Sequence, residues 1–183
     1  MRAVNPKRLL SCLASATVVV VLTGTAMAAP PAVAVVPAST SVLPGESFSV
    51  TVALSDVTDA YAFQFDVTFD ATLLKLTSVA NGGFLPDDRF SGGIANANGS
   101  VTFVYNLLTG PVAGVSGGGA LATLTFETFG DRFGSSAIHV GNVVLIDSKG
   151  VDIPGTTVTD GSASYRDIVA PTTTASAAPA PQA

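Results

Sequence analysis

Apolar and polar positions alternate most strictly over Tyr61–Phe69. Tyr61, Phe63, Phe65, Val67 and Phe69 share one phase, and Ala62, Gln64, Asp66 and Thr68 share the other. A period of two predicts a strand with one buried and one wet face. Asp70 follows at once and can accept bonds from backbone N–H groups ahead of it, which predicts a turn. Leu74, Leu76 and Val79 then resume an apolar face. Five large apolar side chains on one strand need a second layer over them, and a second sheet supplies it. This phase puts Phe65 in the core and Gln64 on the surface.

Shorter alternations flank that strand. Val33–Val36 predicts a first strand, ended by Pro37. Leu43–Glu46 carries a Pro-Gly turn, and Ser47–Leu54 predicts a strand with Phe48, Val50, Val52 and Leu54 inward. Asp56–Asp59 is expected to be a loop. Asn81-Gly82-Gly83 breaks the pattern, and Pro86–Arg89 is expected to be exposed. Ile94–Asn96 and Val101–Tyr105 are expected to pair around Asn98-Gly99, with Val101, Phe103 and Tyr105 on one face. Gly110–Gly119 reads as a long loop. Ala120–Thr128 predicts a strand with Ala122, Leu124 and Phe126 inward. Ala137–Val140, Val143–Ile146, Thr156–Val158 and Ser162–Tyr165 complete about nine short strands. Strands of this length and spacing predict an all-β sandwich.

The two ends are different material. Residues 1–28 read as a signal peptide: the basic MRAVNPKR, an apolar run over about Leu9–Leu22, and the small-x-small site Ala26-Met27-Ala28. Cleavage there leaves a domain over 29–166 and a Pro/Ala/Thr-rich tail over 167–183, too poor in large apolar residues to build a core. The expected location is secreted, extracellular or periplasmic, with no membrane span after cleavage; the rival reading of an apolar run of nearly 20 residues is an uncleaved membrane anchor. Cys12 lies inside the leader near the start of its apolar run, most of which follows it, so neither lipidation nor a disulfide is expected. Removing Arg2, Lys7 and Arg8 from 8 basic residues leaves 5 against 13 acidic, net −8, which argues against nucleic-acid binding.

Little in the chain assembles into reaction chemistry. Gly114-Val115-Ser116-Gly117-Gly118 matches the G-x-S-x-G nucleophile elbow, but that elbow needs a strand before it and a helix after it. His139, the only histidine, sits on the outward phase of a strand. One His and no mature Cys exclude a zinc site. Asp56/Asp59 and Asp87/Asp88 lack the spacing of a calcium loop and read as solvated loop acids. Glu127 has no second carboxylate to work with. Asn98-Gly99-Ser100 is an N-x-S sequon, which its role as a hairpin turn explains. The reading is a non-enzyme without cofactor or metal.

Three stretches together resemble cohesin domains. The first is AFQFDVTFDATLLKLTSV, an aromatic-rich strand, an aromatic–Asp turn and a Leu-containing strand. The second is VLPGESFSVTVALSDV (Val42–Val57), the third GVSGGGALATLTFET (Gly114–Thr128). The resemblance spans roughly Ala32 to Arg166. The family's Pro after the turn Asp is Ala71 here, and its outward Asn-x-Asp pair falls at Ala62 and Gln64. The resemblance implies jelly-roll, Greek-key connectivity and docking of a protein partner. That partner would be a dockerin-like, calcium-loaded helical module in an extracellular polysaccharide-degradation setting. It further implies a partner-binding face carrying Gln64, Asp66 and Thr68, with Asp66 pairing a Lys or Arg of the partner. The alternative is a carbohydrate-binding module that takes polysaccharide directly. The chain has no Trp, and its 10 Phe and 3 Tyr fall mostly on inward phases, so core packing explains the aromatics better than a sugar-stacking platform.

Overall fold

The computed structural model describes residues 29–86, 89–130 and 132–165. Residues 1–28, where a signal peptide is expected, Asp87, Asp88, Asp131 and residues 166–183, with the expected tail, lie outside the described residues. Ten strands follow in order: β1 (Ala32–Val36), β2 (Ser39–Val42), β3 (Ser47–Phe69), β4 (Leu74–Asn81), β5 (Ser91–Asn96), β6 (Ser100–Leu107), β7 (Val115–Thr128), β8 (Gly134–Asp147), β9 (Thr157–Thr159) and β10 (Gly161–Tyr165). β3 belongs to both layers of the sandwich. Its first half pairs with β1 and β7, and its second half with β6 and β8. Layer one is therefore β9-β1-β3-β7-β4, and layer two is β2-β10-β8-β3-β6-β5. The chain crosses repeatedly between the layers, including within β3 and at β1/β2, β4/β5, β6/β7, β7/β8, β8/β9 and β9/β10, giving a jelly roll.

The alternation read from the sequence sets the core. Phe65 and Val67 are fully buried and Phe63 nearly so, in one core with Val50 and Val52 from the first half of β3 and Leu124 and Phe126 from β7. Phe126 stacks on Phe48 at 5.5 Å and meets Phe69 edge-on at 5.1 Å, so the β3 turn region is tied to layer one by rings. The Asp70 turn forms as expected. Its Oδ1 accepts from the Thr72 N–H at 2.8 Å and the Thr72 hydroxyl at 2.7 Å, and the latter bond chiefly holds the carboxyl below the usual carboxylate range. The β5–β6 hairpin also forms, with Gly99 at φ 83° in its turn.

Three expectations need correction, and backbone irregularity explains each. Asp56–Asp59 is not a loop: β3 runs straight through it, with Asp56 (φ 57°) and Asp59 (φ 61°) forming bulges where pairing with β7 shifts register. Val115–Gly119 is not loop either, but the start of β7. A Cβ on Gly118 would stand 2.7 Å from the Leu54 carbonyl oxygen, so glycine is what lets that strand approach β3. Val101, Phe103 and Tyr105 do not share a face. Phe103 has φ 59° and sits in a bulge, so Val101 and Val104 point inward while Phe103 and Tyr105 point out. The unforeseen strand is β2, which pairs in parallel with β10.

Candidate functional site

The outer face of β8-β3-β6-β5 gathers the residues singled out above. Gln64 lies directly opposite Tyr105 on β6 and Val144 on β8. Thr68 lies opposite Ser100 and His139, and is exposed; Gln64 and Asp66 are half-buried. The pairing therefore brings Gln64, Asp66 and Thr68 together as a central row. Around that row the structure adds what the alternation did not show: Phe103 (55% exposed), Ile94 (61%), Tyr105 (39%) and Val144 (39%), one or two from each neighbouring strand. Along the four strands of this face the sequence places no Lys, Arg or Glu.

Asp66 sits between two bulges. Pairing with β6 shifts register between Phe65 and Val67, and pairing with β8 shifts between Gln64 and Asp66. Its Oδ1 accepts from the Phe103 backbone N–H at 2.9 Å, and its Oδ2 accepts from Asn142 Nδ2 at 2.7 Å. Phe103 and Asn142 (φ 49°) are the positive-φ residues of those two bulges. One carboxylate thus satisfies the backbone N–H of the β6 bulge and holds the side-chain amide of the β8 bulge. A sequence signal existed for β8, where Gly141-Asn142 interrupts an apolar run. None existed for Phe103, a residue type that rarely takes positive φ.

The other candidates disperse. Ser116 Oγ accepts from the Asp59 N–H at 2.9 Å at the start of β7. His139 stands opposite Thr68, about 25–30 Å further along β3 at ~3.3 Å per residue, so Ser116 and His139 do not meet. His139 is outward as expected, with Nδ1 2.6 Å from Asp160 Oδ2, and that contact holds the Asp160 carboxyl low. Asp59 caps the Gly114 N–H at 3.0 Å and accepts the Ser148 hydroxyl at 2.7 Å, the latter lowering its pKa. Among the described residues no group of three or more His, Cys, Asp or Glu is placed to hold a metal ion. Glu127 pairs with Lys75 at 3.6 Å.

The comparisons with known proteins agree on one family. The Cohesin domain model matches residues 33–164. Among solved structures, the sixth cohesin of Acetivibrio cellulolyticus scaffoldin B, in complex with a Cel5 dockerin mutant, superposes with a TM-score of 0.67 at 21% identity, covering 75% of this chain and 100% of that one. The OlpA cohesin of Clostridium thermocellum, in complex with Doc918, gives 0.66 at 18%, covering 75% and 100%. A non-cellulosomal cohesin from the archaeon Archaeoglobus fulgidus gives 0.60 at 15%, covering 76% and 93%. No curated protein matches the chain. At these identities the structures share the fold, and the family match over most of the chain decides membership: the chain belongs to the cohesin domain family.

Proposed function

We propose that this cohesin domain is an exported, non-catalytic docking module whose partner is a dockerin-bearing protein, received on the outer face of β8-β3-β6-β5 with Gln64, Asp66 and Thr68 at its centre. The observation that carries the reading is that face itself: four exposed apolar side chains around a row with one charge, open to solvent. Large apolar groups grouped on an otherwise polar domain mark interaction surfaces. Cohesins of the same fold have been solved with dockerins bound. A helical partner here would bury about 1,200–2,000 Å² in total, with a few central residues dominating. Export would place the complex in an extracellular setting such as polysaccharide breakdown.

The exposed Phe103 and Tyr105 rings give the carbohydrate-binding alternative its one specific support. Calorimetry separates the two. Each dockerin-type module encoded by the source organism, calcium-loaded, is titrated into the domain with and without soluble cello-oligosaccharides. Calcium-dependent binding that sugar does not compete supports docking. Sugar binding without any dockerin binding overturns it in favour of the glycan reading.

A further inference from the structure

Resting on that docking reading, we infer that Asp66 is a positioning residue that holds Phe103 out as the apolar anchor of the face, so that the partner meets it with a neutral, apolar patch rather than with a Lys or Arg. Both Asp66 oxygens already accept, from the Phe103 N–H at 2.9 Å and from Asn142 Nδ2 at 2.7 Å. A partner cation would have to compete with bonds that keep two bulges in shape. Asp59, His139 and Asp147 on these strands are also engaged: Asp59 holds the Gly114 N–H and the Ser148 hydroxyl. His139 is paired with Asp160, and Asp147 Oδ1 caps the Lys149 and Val151 N–H groups of the turn after β8. Phe103 owes its exposure to that local geometry. At φ 59° its side chain leaves the inward alternation of Val101 and Val104 and stands out beside Tyr105 and Ile94. A ring on a backbone pinned by side-chain bonds loses little freedom on binding, the property that makes aromatic residues binding anchors. Neutral recognition also matches the absence of Lys, Arg and Glu along the four strands.

The test measures the affinity of wild type and variants for whichever of the source organism's calcium-loaded dockerins binds. Phe103→Ala is expected to weaken binding by about 30-fold or more, the scale of an interface hot spot. Phe133→Ala, an equally exposed ring outside these strands' paired face, is expected to change it less than about twofold. Asp66→Ala loses affinity, whereas Asp66→Asn, which keeps an acceptor for the Phe103 N–H, retains it within about fivefold. Raising NaCl about tenfold leaves the wild-type affinity nearly constant. A counter-ion role predicts the reverse: Asp66→Asn as damaging as Asp66→Ala, Phe103→Ala mild, and binding that collapses in salt. That pattern overturns the inference while leaving docking intact. If Asp66→Ala does not fold, the Phe103, Asp66→Asn and salt arms still decide. Wild type that binds none of the dockerins overturns both this inference and the docking reading.

Discussion

The two outer faces of the sandwich are built on the same strand and look nothing alike. On layer one, Ser47–Val52 of β3 pairs with Ala122–Glu127 of β7 without a break, and the outward residues are hydroxylic apart from Glu127. Ser49 and Thr125 share a hydrogen bond at 2.9 Å, Thr51 lies opposite Thr123, and Lys75 pairs with Glu127. The large exposed apolar residues of that layer, Val36 and Val158, lie at a strand end and on an edge strand. On layer two the same β3 is flanked by a bulge on each side, and the bulged strands carry Phe103 and Val144 outward. The unbroken Ser47–Val52 stretch leaves a face that satisfies itself, while the two bulges held by Asp66 leave one that displays apolar surface; the bulges at Asp56 and Asp59, further along the same β3–β7 pairing, carry no such side chain outward. The energetic distinction lies outside; the interior is common to both layers.

If so, truncations inside should hurt alike whichever layer they come from, and these are the largest effects expected. Phe65→Ala on layer two and Phe126→Ala on layer one both remove a fully buried ring, and each is expected to cost about 3–5 kcal/mol through lost burial and a cavity. Gln64→Ala, one residue from Phe65 on the wet phase, is expected to stay within about 0.5 kcal/mol. Denaturant midpoints of the three variants measure this. A costly Gln64→Ala would mean the layer-two face carries folding energy of its own.

How much of this was legible follows the same division. Where a strand itself keeps its alternation, as β3 does even beside the bulges of β6 and β8, phase told inside from outside: Phe63, Phe65 and Val67, and equally Val50, Val52, Leu124 and Phe126, are buried as their phase requires. The Asn98-Gly99 hairpin was legible because its turn demands a positive-φ residue and Gly supplies one. Reading failed at bulges. Asp56 and Asp59 resemble loop residues because they are polar and take positive φ, yet they stand inside a 23-residue strand. The glycines before Ala120 resemble a flexible loop, yet the missing Cβ of Gly118 admits the Leu54 carbonyl. At Phe103 a one-residue slip in phase took an aromatic off the face it was expected to share with Val101 and out to solvent. The row Gln64, Asp66 and Thr68 was legible as outward, but its apolar surround was not, since it depends on that slip.

The second test compares brackets, and a smaller effect is expected. Asp66→Ala removes the acceptor for two donors at bulges and is expected to cost about 1–2 kcal/mol, at the low end for charged hydrogen bonds because the site is only half-buried. Ser49→Ala on layer one removes one exposed hydroxyl pair and should stay within about 0.5 kcal/mol. Hydrogen exchange sharpens the comparison. The Phe103 amide should lose protection in Asp66→Ala, and the Thr125 amide should keep it in Ser49→Ala. Equal responses at the two sites would remove the distinction between a bracketed and a self-satisfied face.

The smallest effect concerns hydroxyls that the two layers treat differently. On layer one the buried Thr128 hydroxyl lies 3.0 Å from the Leu43 carbonyl and 3.1 Å from that of Glu46. On layer two the Tyr165 hydroxyl is buried with no hydrogen-bond partner among the described residues. Burial, aided by the charge of Asp70, pushes the Tyr165 phenol up to about 12 from its ordinary value of 10.0. A raised phenol pKa means that the folded state favours the neutral ring. Its contribution is therefore whole below about pH 10 and is lost as pH rises toward 12. Thr128→Val breaks a satisfied bond and should cost about 1–2 kcal/mol. Tyr165→Phe deletes a group that makes no bond, keeps the ring, and should change stability at neutral pH by less than about 0.5 kcal/mol in either direction. The variant should also lose stability less steeply than wild type as pH is raised past about 10, because it has no phenol to ionise. Urea midpoints at neutral and alkaline pH measure both. If Tyr165→Phe instead cost as much as Thr128→Val, the phenol would have to be bonded in solution, and layer two would be as fully satisfied as layer one.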